Sequence, residues 1–561
     1  MERATSFVMC RRHGFPSRAG EGGMALLAAG LGLMLALACP CRADGPGPTV
    51  EQWGIFEIAL GGPRDGNPYT DVQLTAVFAH GAEKHEVTGF YDGDGVYRVR
   101  FMPEGQGVWT YTTSSNRAQL DGRLGEFVAG PPSPGNHGPV RVRNTYHFAY
   151  EDGAPYRPIG TTCYTWIHRP EELQEQTLRT LAGSPFNKLR MCVFPQDQAS
   201  DFMPPAIFPF EGTPPRRWDT SRFNPEFFRH LEKRVGQLRG LGIECDLILF
   251  HPYGKTWGFD GMDAASDDRY VRYVVARLAA YRNIWWSLAN EYDHISTKTE
   301  GDWDRLFQVV QASDPYGHLR SIHNGNRVYD NNRPWVTHAS MQDGPAVEDT
   351  QRPELLRQVY RKPVVFDEVQ YEGNSTARWA QLSGREMVHR FWCGTVAGTY
   401  VGHSEYFKSP HDVVWLGEGG VLRGESPPRI AFLKAILDAS PPSGINPIDR
   451  WQDSGIGGKA GEYYLMYFGR GAPVSWRFEI PSNGVTEGMR FHADVLDTWN
   501  MTVTPVPGEF TVVRRDEHSF VDRDGRPIAL PGQQGVAVRL IRIGAADGAR
   551  GAGPSPGAAA P

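Results

Sequence analysis

The chain has 561 residues, of which 40% are hydrophobic and 22% are charged, and its formal net charge at pH 7 is −6. This length and composition are typical of a globular protein with roughly two to four domains. Because the net charge is negative and no basic stripe interrupts the sequence, we expect no nucleic-acid partner. The 15 Trp and 22 Tyr side chains can fill cores, and they can also stack on sugar rings.

Residues 1–43 have the pattern of an export signal. A basic stretch that contains Arg11 and Arg12 precedes an uncharged apolar segment, residues 24–38. This segment is too short to span a bilayer comfortably, so we expect no integral membrane span. The segment ends either at a signal cleavage site or in a lipid anchor on Cys39. We therefore predict an exported protein, periplasmic or secreted, and the lipoprotein alternative stays open.

Residues 50–140 alternate apolar and polar side chains with a period of two, as residues 73–79, 96–101 and 108–113 illustrate. Short strands at near-regular spacing, separated by Gly-rich and Pro-rich turns, are typical of a β-sandwich. A stretch of Gly, Pro and Ser at residues 130–135 reads as a linker. We therefore predict an N-terminal β-sandwich that ends near residue 140.

Residues 141–440 alternate between apolar strand-like runs and helical stretches. The strand-like runs are residues 156–162, 187–194, 243–250, 284–289, 320–323, 335–340, 363–366 and 395–401. The helical stretches include residues 171–182, 225–241, 267–281, 303–313, 354–360 and 428–437. Eight such units in about 300 residues predict a central (β/α)8 TIM barrel, in which functional residues lie at the carboxyl ends of the strands.

Residues 441–543 return to the period of two, with strand-like runs at residues 463–468, 474–480, 491–497 and 535–543. This pattern predicts a C-terminal β-sandwich domain. Residues 544–561 are mostly Ala, Gly and Pro and carry almost no apolar bulk. We expect this last stretch to be a disordered tail.

Four cysteines follow the predicted signal: Cys163, Cys192, Cys245 and Cys393. Each lies in or beside an apolar run, which favours buried free thiols. Disulfides stay an alternative, since an exported protein could pair them. The sequence contains no CxxC, HExxH or similar metal-ligand spacing. We therefore expect no metal site and no cofactor.

Two glutamates directly follow apolar strand-like runs. Asn290-Glu291 follows the run at residues 284–289, and Asp367-Glu368 follows the run at residues 363–366. A carboxylate beside a core strand costs free energy unless it is paired, hydrogen-bonded or functional. Hydrolysis of an acetal needs one acid to protonate the leaving oxygen and one carboxylate to meet the oxocarbenium-like carbon. These residues are therefore candidates for such a pair; the alternative is that both are ordinary loop acids.

The stretches 285–291 and 362–368 resemble clan GH-A, the retaining glycosidases on (β/α)8 barrels, which carry Asn-Glu after the fourth strand and Glu after the seventh. The resemblance implies Glu291 as acid/base and Glu368 as nucleophile. It also implies that Asn290 hydrogen-bonds the 2-hydroxyl of the sugar.

Further candidate residues follow from the same resemblance. Clan members place an Arg in the second strand that keeps the nucleophile ionised, and Arg190 matches it. His323, after the fifth run, resembles a substrate-binding histidine, and His338 falls where members have Tyr or His beside the nucleophile. A structural role is the alternative for each of these residues. Weaker candidates for the subsite wall are His251, Trp166, Tyr406 and Trp415, the last two because residues 402–407 lack the Trp common in this clan.

The order of the modules resembles a narrower group, exported bacterial glycosidases whose flanking modules are known only as domains of unknown function. The match covers roughly residues 50–543, with residues 51–57, 160–166, 419–430 and 497–502 as its clearest stretches. It implies a retaining glycoside hydrolase that cleaves O-glycosidic bonds of a poly- or oligosaccharide by double displacement. The alternatives are a non-catalytic carbohydrate-binding or structural barrel, and a barrel hydrolase acting on another bond. The sugar, the linkage and the oligomeric state stay undetermined.

Overall fold

The computed structural model describes residues 47–197, 204–408, 413–448 and 455–544. The predicted export signal lies outside these ranges, as does the predicted tail apart from Gly544. Among the described residues, no helix combines the length and the apolar character needed to cross a membrane. The four described cysteines are buried and free, which confirms the prediction of buried thiols.

The N-terminal region consists of two β-sheets that pack face to face. One sheet contains strands Thr49–Glu51, Leu74–His80, Glu83–Thr88, Gly107–Ser115 and Leu124–Gly130; the other contains Phe56–Gly61, Phe90–Tyr91 and Val96–Phe101. A short helix, Pro68–Asp71, connects them. Phe56 of the second sheet stacks on Phe127 of the first at 3.9 Å between ring centroids. The inward-facing side chains of the period-two pattern therefore fill the space between the sheets.

The central region is a parallel β-sheet of eight strands that curls into a nearly closed barrel. In chain order the strands are Gly160–Thr162, Lys188–Cys192, Glu244–Phe250, Ile284–Ala289, Arg320–Ser321, Ala339–Gln342, Val364–Glu368 and Tyr400–His403. An isolated bridge between His323, just after the fifth strand, and Ser340 of the sixth strand spans the remaining gap. Most residues of these strands are buried, as expected for a parallel sheet covered on both faces.

Helices connect the barrel strands and cover the outside of the barrel. They are Glu171–Ala182, Pro225–Gly240, Ala264–Leu278, Glu300–Ser313, Gln351–Tyr360, Gly384–Val396 and Ser426–Asp438. The predicted N-cap Asn224 is confirmed, because its side chain accepts a hydrogen bond from the backbone N–H of Glu226.

The prediction of eight helical crossovers is wrong in the fifth unit. Residues 322–338, which are all described, contain no helix between the fifth and sixth strands. This stretch is rich in Asn, Asp and Gly, whose side chains or missing side chain favour turns over helix. Two predicted strands are also displaced: the sixth lies at Ala339–Gln342, and the eighth begins at Tyr400 after a turn at Gly398 with φ of 72°.

Short elements complete the connections between the barrel strands. They are the strands Phe210–Thr213, Arg217–Phe223, Glu372–Gly373 and Glu405–Tyr406, the 3-10 helices Trp166–His168, Phe259–Gly261, Tyr292–His294, Gly344–Glu348 and Arg378–Ala380, and the helical turn Trp415–Glu418. Most of them follow the carboxyl ends of barrel strands, so they surround that end of the barrel.

A small antiparallel sheet closes the opposite, amino end of the barrel. Its strands are Val140–Arg143, His147–Tyr150 and Pro155–Tyr156. Phe148 and Tyr156 pack in one apolar cluster with Trp285 and Val365, near the starts of the fourth and seventh barrel strands. The amino end is therefore filled by aromatic and aliphatic side chains.

The C-terminal region is antiparallel β-structure, a nine-stranded sheet with a separate two-stranded pair. The strands are Asn446–Pro447, Ile456–Lys459, Tyr463–Tyr467, Ser475–Arg477, Glu479–Pro481, Arg490–Asp497, Thr502–Pro505, Phe510–Arg514, Ser519–Asp522, Pro527–Ala529 and Val536–Arg542. Tyr463, Leu465 and Tyr467 share an apolar cluster with residues of the last two barrel helices. This sheet therefore packs on the side of the barrel and leaves the carboxyl-end mouth open.

Candidate active site

A cavity of about 720 Å³ lies at the carboxyl ends of the barrel strands. Glu291, two residues after the fourth strand, and Glu368, the last residue of the seventh, both line it. Because the strands are parallel, their carboxyl ends share one rim of the barrel. The two glutamates therefore face the same cavity, as the sequence pattern predicts.

The carboxylate of Glu368 is 7% exposed and is surrounded by donors. Oε1 accepts hydrogen bonds from Tyr164 Oη and, at 3.1 Å, from Arg190 Nη1, while His323 Nε2 lies 3.3 Å away. Oε2 accepts a hydrogen bond from Tyr371 Oη at 2.5 Å. Burial alone would raise the pKa of this carboxyl, but His323, Arg190 and Tyr164 outweigh burial and hold the pKa below its usual range.

Glu291 has the opposite electrostatic environment. Burial, and then the negative charge of Glu368, raise the pKa of its carboxyl, with partial compensation from His323 and His294. His294 Nδ1 lies 3.0 Å from Oε2 of Glu291. The backbone of Glu291 has φ of 43°, a left-handed conformation that costs a non-glycine residue about 1–3 kcal/mol and is concentrated at functional sites. The cavity thus holds one carboxyl that favours ionisation and one that favours a proton.

Arg190 joins two of the predicted site residues. Its Nη1 donates to Glu368 Oε1 at 3.1 Å and its Nη2 donates to the side-chain oxygen of Asn290 at 2.7 Å. Arg190 and Asn290 are each 1% exposed. The planar guanidinium therefore fixes the relative orientation of the amide and the carboxylate, as a pair of directed donors can.

A buried polar chain supports His323 from below. Lys188 Nζ and Ser340 Oγ each donate to Asp367 at 2.6 Å, and Ser340 Oγ lies 3.0 Å from His323 Nδ1. His323 is fully buried, so its ring has one orientation set by these partners. These hydrogen bonds hold the other ring nitrogen of His323, Nε2, against Glu368.

Sequence reasoning missed several residues that line the cavity, among them Tyr164, Tyr371, Gln342 and Trp379. Tyr164 and Tyr371 follow the first and seventh strands by two and three residues, so a polar aromatic just after a barrel strand was a usable signal. Gln342 ends the sixth strand and pairs in register with Glu368. Trp379, 45% exposed, is on a short 3-10 helix with no periodic pattern that could reveal it.

His338 does not lie beside Glu368, which corrects its predicted position. Its ring packs against Trp285 and Phe148 at the amino end of the barrel, with centroid separations of 5.2 Å and 5.6 Å. Burial lowers the pKa of His338 to about 3. The error arose because the sixth strand begins at Ala339, so His338 precedes the strand and Gln342 occupies its far end.

Three weaker candidates also lie outside the cavity lining, whereas Tyr406 is part of it as predicted. Each of the three is buried and bonded to a core neighbour: Trp166 to Met191 Sδ at 3.3 Å, Trp415 to Thr161 Oγ1 at 2.9 Å, and His251 to the Phe194 carbonyl at 3.0 Å. Their polar atoms are satisfied inside the protein. They therefore belong to the core and do not form the surface of the cavity.

Comparison with known sequences gives three matches along the chain. Residues 142–406 match the family described as "Apiosidase-like, catalytic domain". Residues 49–116 and 451–541 match two domains of unknown function, DUF5060 and DUF5605. No curated protein matches the sequence.

Solved structures extend this result over most of the chain. A protein from Bacteroides vulgatus, named provisionally as a glycoside hydrolase, is 40% identical with a TM-score of 0.86, over 88% of this chain and 100% of that chain. A glycoside hydrolase of family 5 from the same organism, 16% identical with a TM-score of 0.55 over 74% and 96% of the two chains, shares the fold. The chain therefore belongs to the glycoside hydrolase family of the first protein, and it is a glycosidase whose apiosidase-like catalytic domain lies between two domains of unknown function.

Proposed function

We propose that this glycoside hydrolase retains the anomeric configuration, with Glu368 as nucleophile and Glu291 as general acid/base. The observation that carries the proposal is the opposite effect of the site on the pKa values of these two carboxyls. Double displacement needs an ionised nucleophile and a protonated acid at the same pH. A non-catalytic barrel would not need this difference.

In the first step Glu291 gives its proton to the glycosidic oxygen, while Glu368 forms a bond to the anomeric carbon. The bond between that carbon and the leaving oxygen breaks, and the leaving group departs as an alcohol. Asn290, held by Arg190 at 2.7 Å, is proposed to hydrogen-bond the 2-hydroxyl of the sugar. Such bonds strengthen as the oxocarbenium-like transition state develops.

In the second step Glu291 takes a proton from water, and the resulting oxygen attacks the anomeric carbon from the face that the leaving group left. The charge of Glu368 contributes to the raised pKa of Glu291. Since the glycosyl ester on Glu368 carries no charge, the pKa of Glu291 falls in the intermediate, which suits it to act as a base. Cleavage of the ester regenerates Glu368, stabilised again by Arg190 and Tyr164.

An aromatic wall of the cavity supports the proposal that the substrate is a sugar. Trp379 packs edge-on against Tyr371 and Tyr406, with centroid separations of 5.7 Å and 5.1 Å, and all three line the cavity. An indole that is 45% exposed offers a face on which a sugar ring can stack. The apiosidase-like match makes apiosides the first glycosides to test, within the wider class of poly- and oligosaccharides.

We also propose that the central region is a (β/α)8 barrel of clan GH-A whose fifth unit lacks its helix, between two β-sandwich domains. The ring of eight parallel strands and the two packed sheets of the N-terminal region support this assignment. The sequence pattern of residues 1–43 supports export to the periplasm or beyond, with a lipid anchor on Cys39 as the alternative.

The proposal is tested with a panel of aryl glycosides that includes an apioside. We expect the first-formed product of an active substrate, followed by proton NMR, to keep its anomeric configuration. A 2-deoxy-2-fluoro glycoside with a good leaving group should label the peptide that contains Glu368, detected by mass spectrometry. An inverted product would make Glu368 a base, and a label on another residue would move the nucleophile.

A further inference from the structure

Three buried side chains, Glu372, His403 and Glu405, come together behind the wall of the cavity. Glu372 and Glu405 begin two short paired strands and lie directly opposite each other in the register. The three residues are at most 2% exposed. One ligand atom from each lies within 4.8 Å of the other two. This group is called the Glu–His–Glu cluster below.

The imidazole of His403 points into this cluster with one nitrogen unsatisfied. Nε2 has no hydrogen-bond partner within the described part of the chain, and Glu405 Oε2 is 4.0 Å from it. Nδ1 lies 3.1 Å from Thr161 Oγ1, so the orientation of the ring is fixed from the other side. Histidine ligands of metals commonly have this arrangement, with one ring nitrogen held by a hydrogen bond and the other free for the ion.

The two carboxylates of the cluster bind the backbone of one loop. Glu405 Oε2 accepts from the N–H of Gly424 at 2.7 Å, while Glu372 Oε1 accepts from the N–H of Glu425 at 2.6 Å. An oxygen of each carboxylate lies so close to Gly424 that a β-carbon there would clash with both. The two carboxyl groups are therefore buried side by side.

We propose that the Glu–His–Glu cluster binds one divalent transition-metal ion, for which Zn²⁺ is the best match to one imidazole and two carboxylates. The ion would occupy the free coordination position of His403 Nε2 and neutralise the two buried carboxylates. Glu372 and Glu405 are chain neighbours of Tyr371 and Tyr406, which line the cavity. The bound ion therefore stabilises the aromatic wall and takes no part in bond cleavage.

This site was not expected from the sequence. Glu372 is 31 residues before His403 in the chain, so the ligands have no short-range spacing that a motif could reveal. Tertiary pairing of the two short strands brings them together.

The test begins with the wild-type protein, stripped with EDTA, exchanged into chelator-free buffer and titrated with ZnCl₂. We expect about one Zn²⁺ per chain by inductively coupled plasma mass spectrometry. We also expect a rise in Tm of about 5 °C or more at saturating ZnCl₂. X-ray absorption at the zinc edge should report one imidazole and oxygen ligands. No stoichiometric zinc and no shift in Tm, or sulfur ligands, would overturn the proposal.

The variants His403→Gln and Glu405→Gln should abolish both the bound zinc and the shift in Tm. The matched control is His85→Gln, because His85 lies with Glu83 and Glu104 in a more exposed group of three metal-binding residue types. This variant should bind zinc as the wild type does. If His85→Gln abolished binding and His403→Gln kept it, the ion would belong to the surface group and the proposal would fail. If His403→Gln does not fold, the zinc content and absorption spectrum of His85→Gln decide, because this variant has lost the imidazole of the surface group, which offers the same ligand types as the cluster.

Discussion

Two buried glutamates at opposite ends of the same barrel have pKa values that are shifted in opposite directions. Glu244 begins the third strand at the amino end, and Glu368 ends the seventh at the carboxyl end. Burial raises the pKa of Glu244 to about 8, because the indole N–H of Trp285 at 3.0 Å and the charge of Arg282 compensate only in part. The donors around Glu368 reverse the effect of burial there. Donors, more than depth, decide which carboxyl is ionised.

The two ends of the barrel also differ in how many hydrogen-bond donors they offer to these glutamates. The amino end is packed with aromatic and aliphatic side chains such as Phe148, Tyr156 and Trp285, which stabilise the barrel and offer few donors. The carboxyl end has an open cavity and several polar side chains that donate to Glu368. One end of the barrel therefore contributes to stability and the other to catalysis, as is general for barrel enzymes.

The largest expected effect separates the two glutamates directly. Glu368→Gln should lower kcat by about 10⁴-fold or more, because the proposed nucleophile is lost. Glu244→Gln, a change of the same size at the other end, should leave kcat within about 2-fold. A substitution remote from the cavity acts on stability and not on the chemical step. Both are measured with an active aryl glycoside, and circular dichroism checks folding. Equal activity of the two variants would remove Glu368 from the mechanism.

The next effect concerns the second carboxyl of the cavity. Glu291→Ala should slow substrates with poor leaving groups by about 10²- to 10⁴-fold, because they need a proton, and should affect activated aryl glycosides much less. Added azide should restore turnover and give a glycosyl azide with retained configuration. With Glu368→Ala the azide product should be inverted. Exchanged configurations would exchange the two proposed roles.

A smaller effect concerns the donors around Glu368. For the wild type we expect activity to fall on the acid side as pH drops through the lowered pKa of Glu368, and on the basic side as pH rises through the raised pKa of Glu291. Tyr164→Phe removes one donor, so the pKa of Glu368 rises and the acid limb of kcat/KM moves to higher pH. The accompanying loss in kcat/KM should be about 10- to 100-fold.

The matched control for Tyr164→Phe is Tyr156→Phe at the amino end. Tyr156 is also buried, and its hydroxyl donates to the Asn187 carbonyl at 2.9 Å. This variant should lower the free energy of unfolding by about 1 kcal/mol and leave the pH profile unchanged. A shift of the acid limb in both variants would mean that the profile reports stability and not the ionisation of Glu368.

The smallest effect is on stability and is specific to Glu244. Its folded pKa is raised from 4.5 to about 8, so its contribution to stability is complete below pH 4.5 and is lost as pH rises through 8. Glu244→Gln cannot ionise, and above pH 8 it should be more stable than the wild type by about 2 kcal/mol. Urea unfolding at pH 6 and pH 9 measures this difference. Parallel stability curves for the two proteins would show that Glu244 is not titrating in this range.

Local patterns carried much of the prediction. The alternation of buried runs and helical stretches predicted the barrel, and seven of its helices follow strands as expected. Glu291, Glu368 and Asn290 were found because polar residues directly after buried runs are conspicuous in a sequence. Arg190 was identified because its place in the second strand matches the Arg of clan GH-A. Each of these signals lies within a few residues of the chain, and so the sequence alone contains it.

Other features depend on how distant segments meet, and only the tertiary structure decided them. Whether Gln342 or His338 faces Glu368 depended on where the sixth strand begins, which pairing with the seventh strand sets. The hydrogen bonds of Tyr164 and Tyr371 to Glu368 depend on loop conformations after two different strands. The sequence by itself determined that two glutamates end barrel strands. The donors that three-dimensional packing brings to each carboxyl determine which of them is ionised.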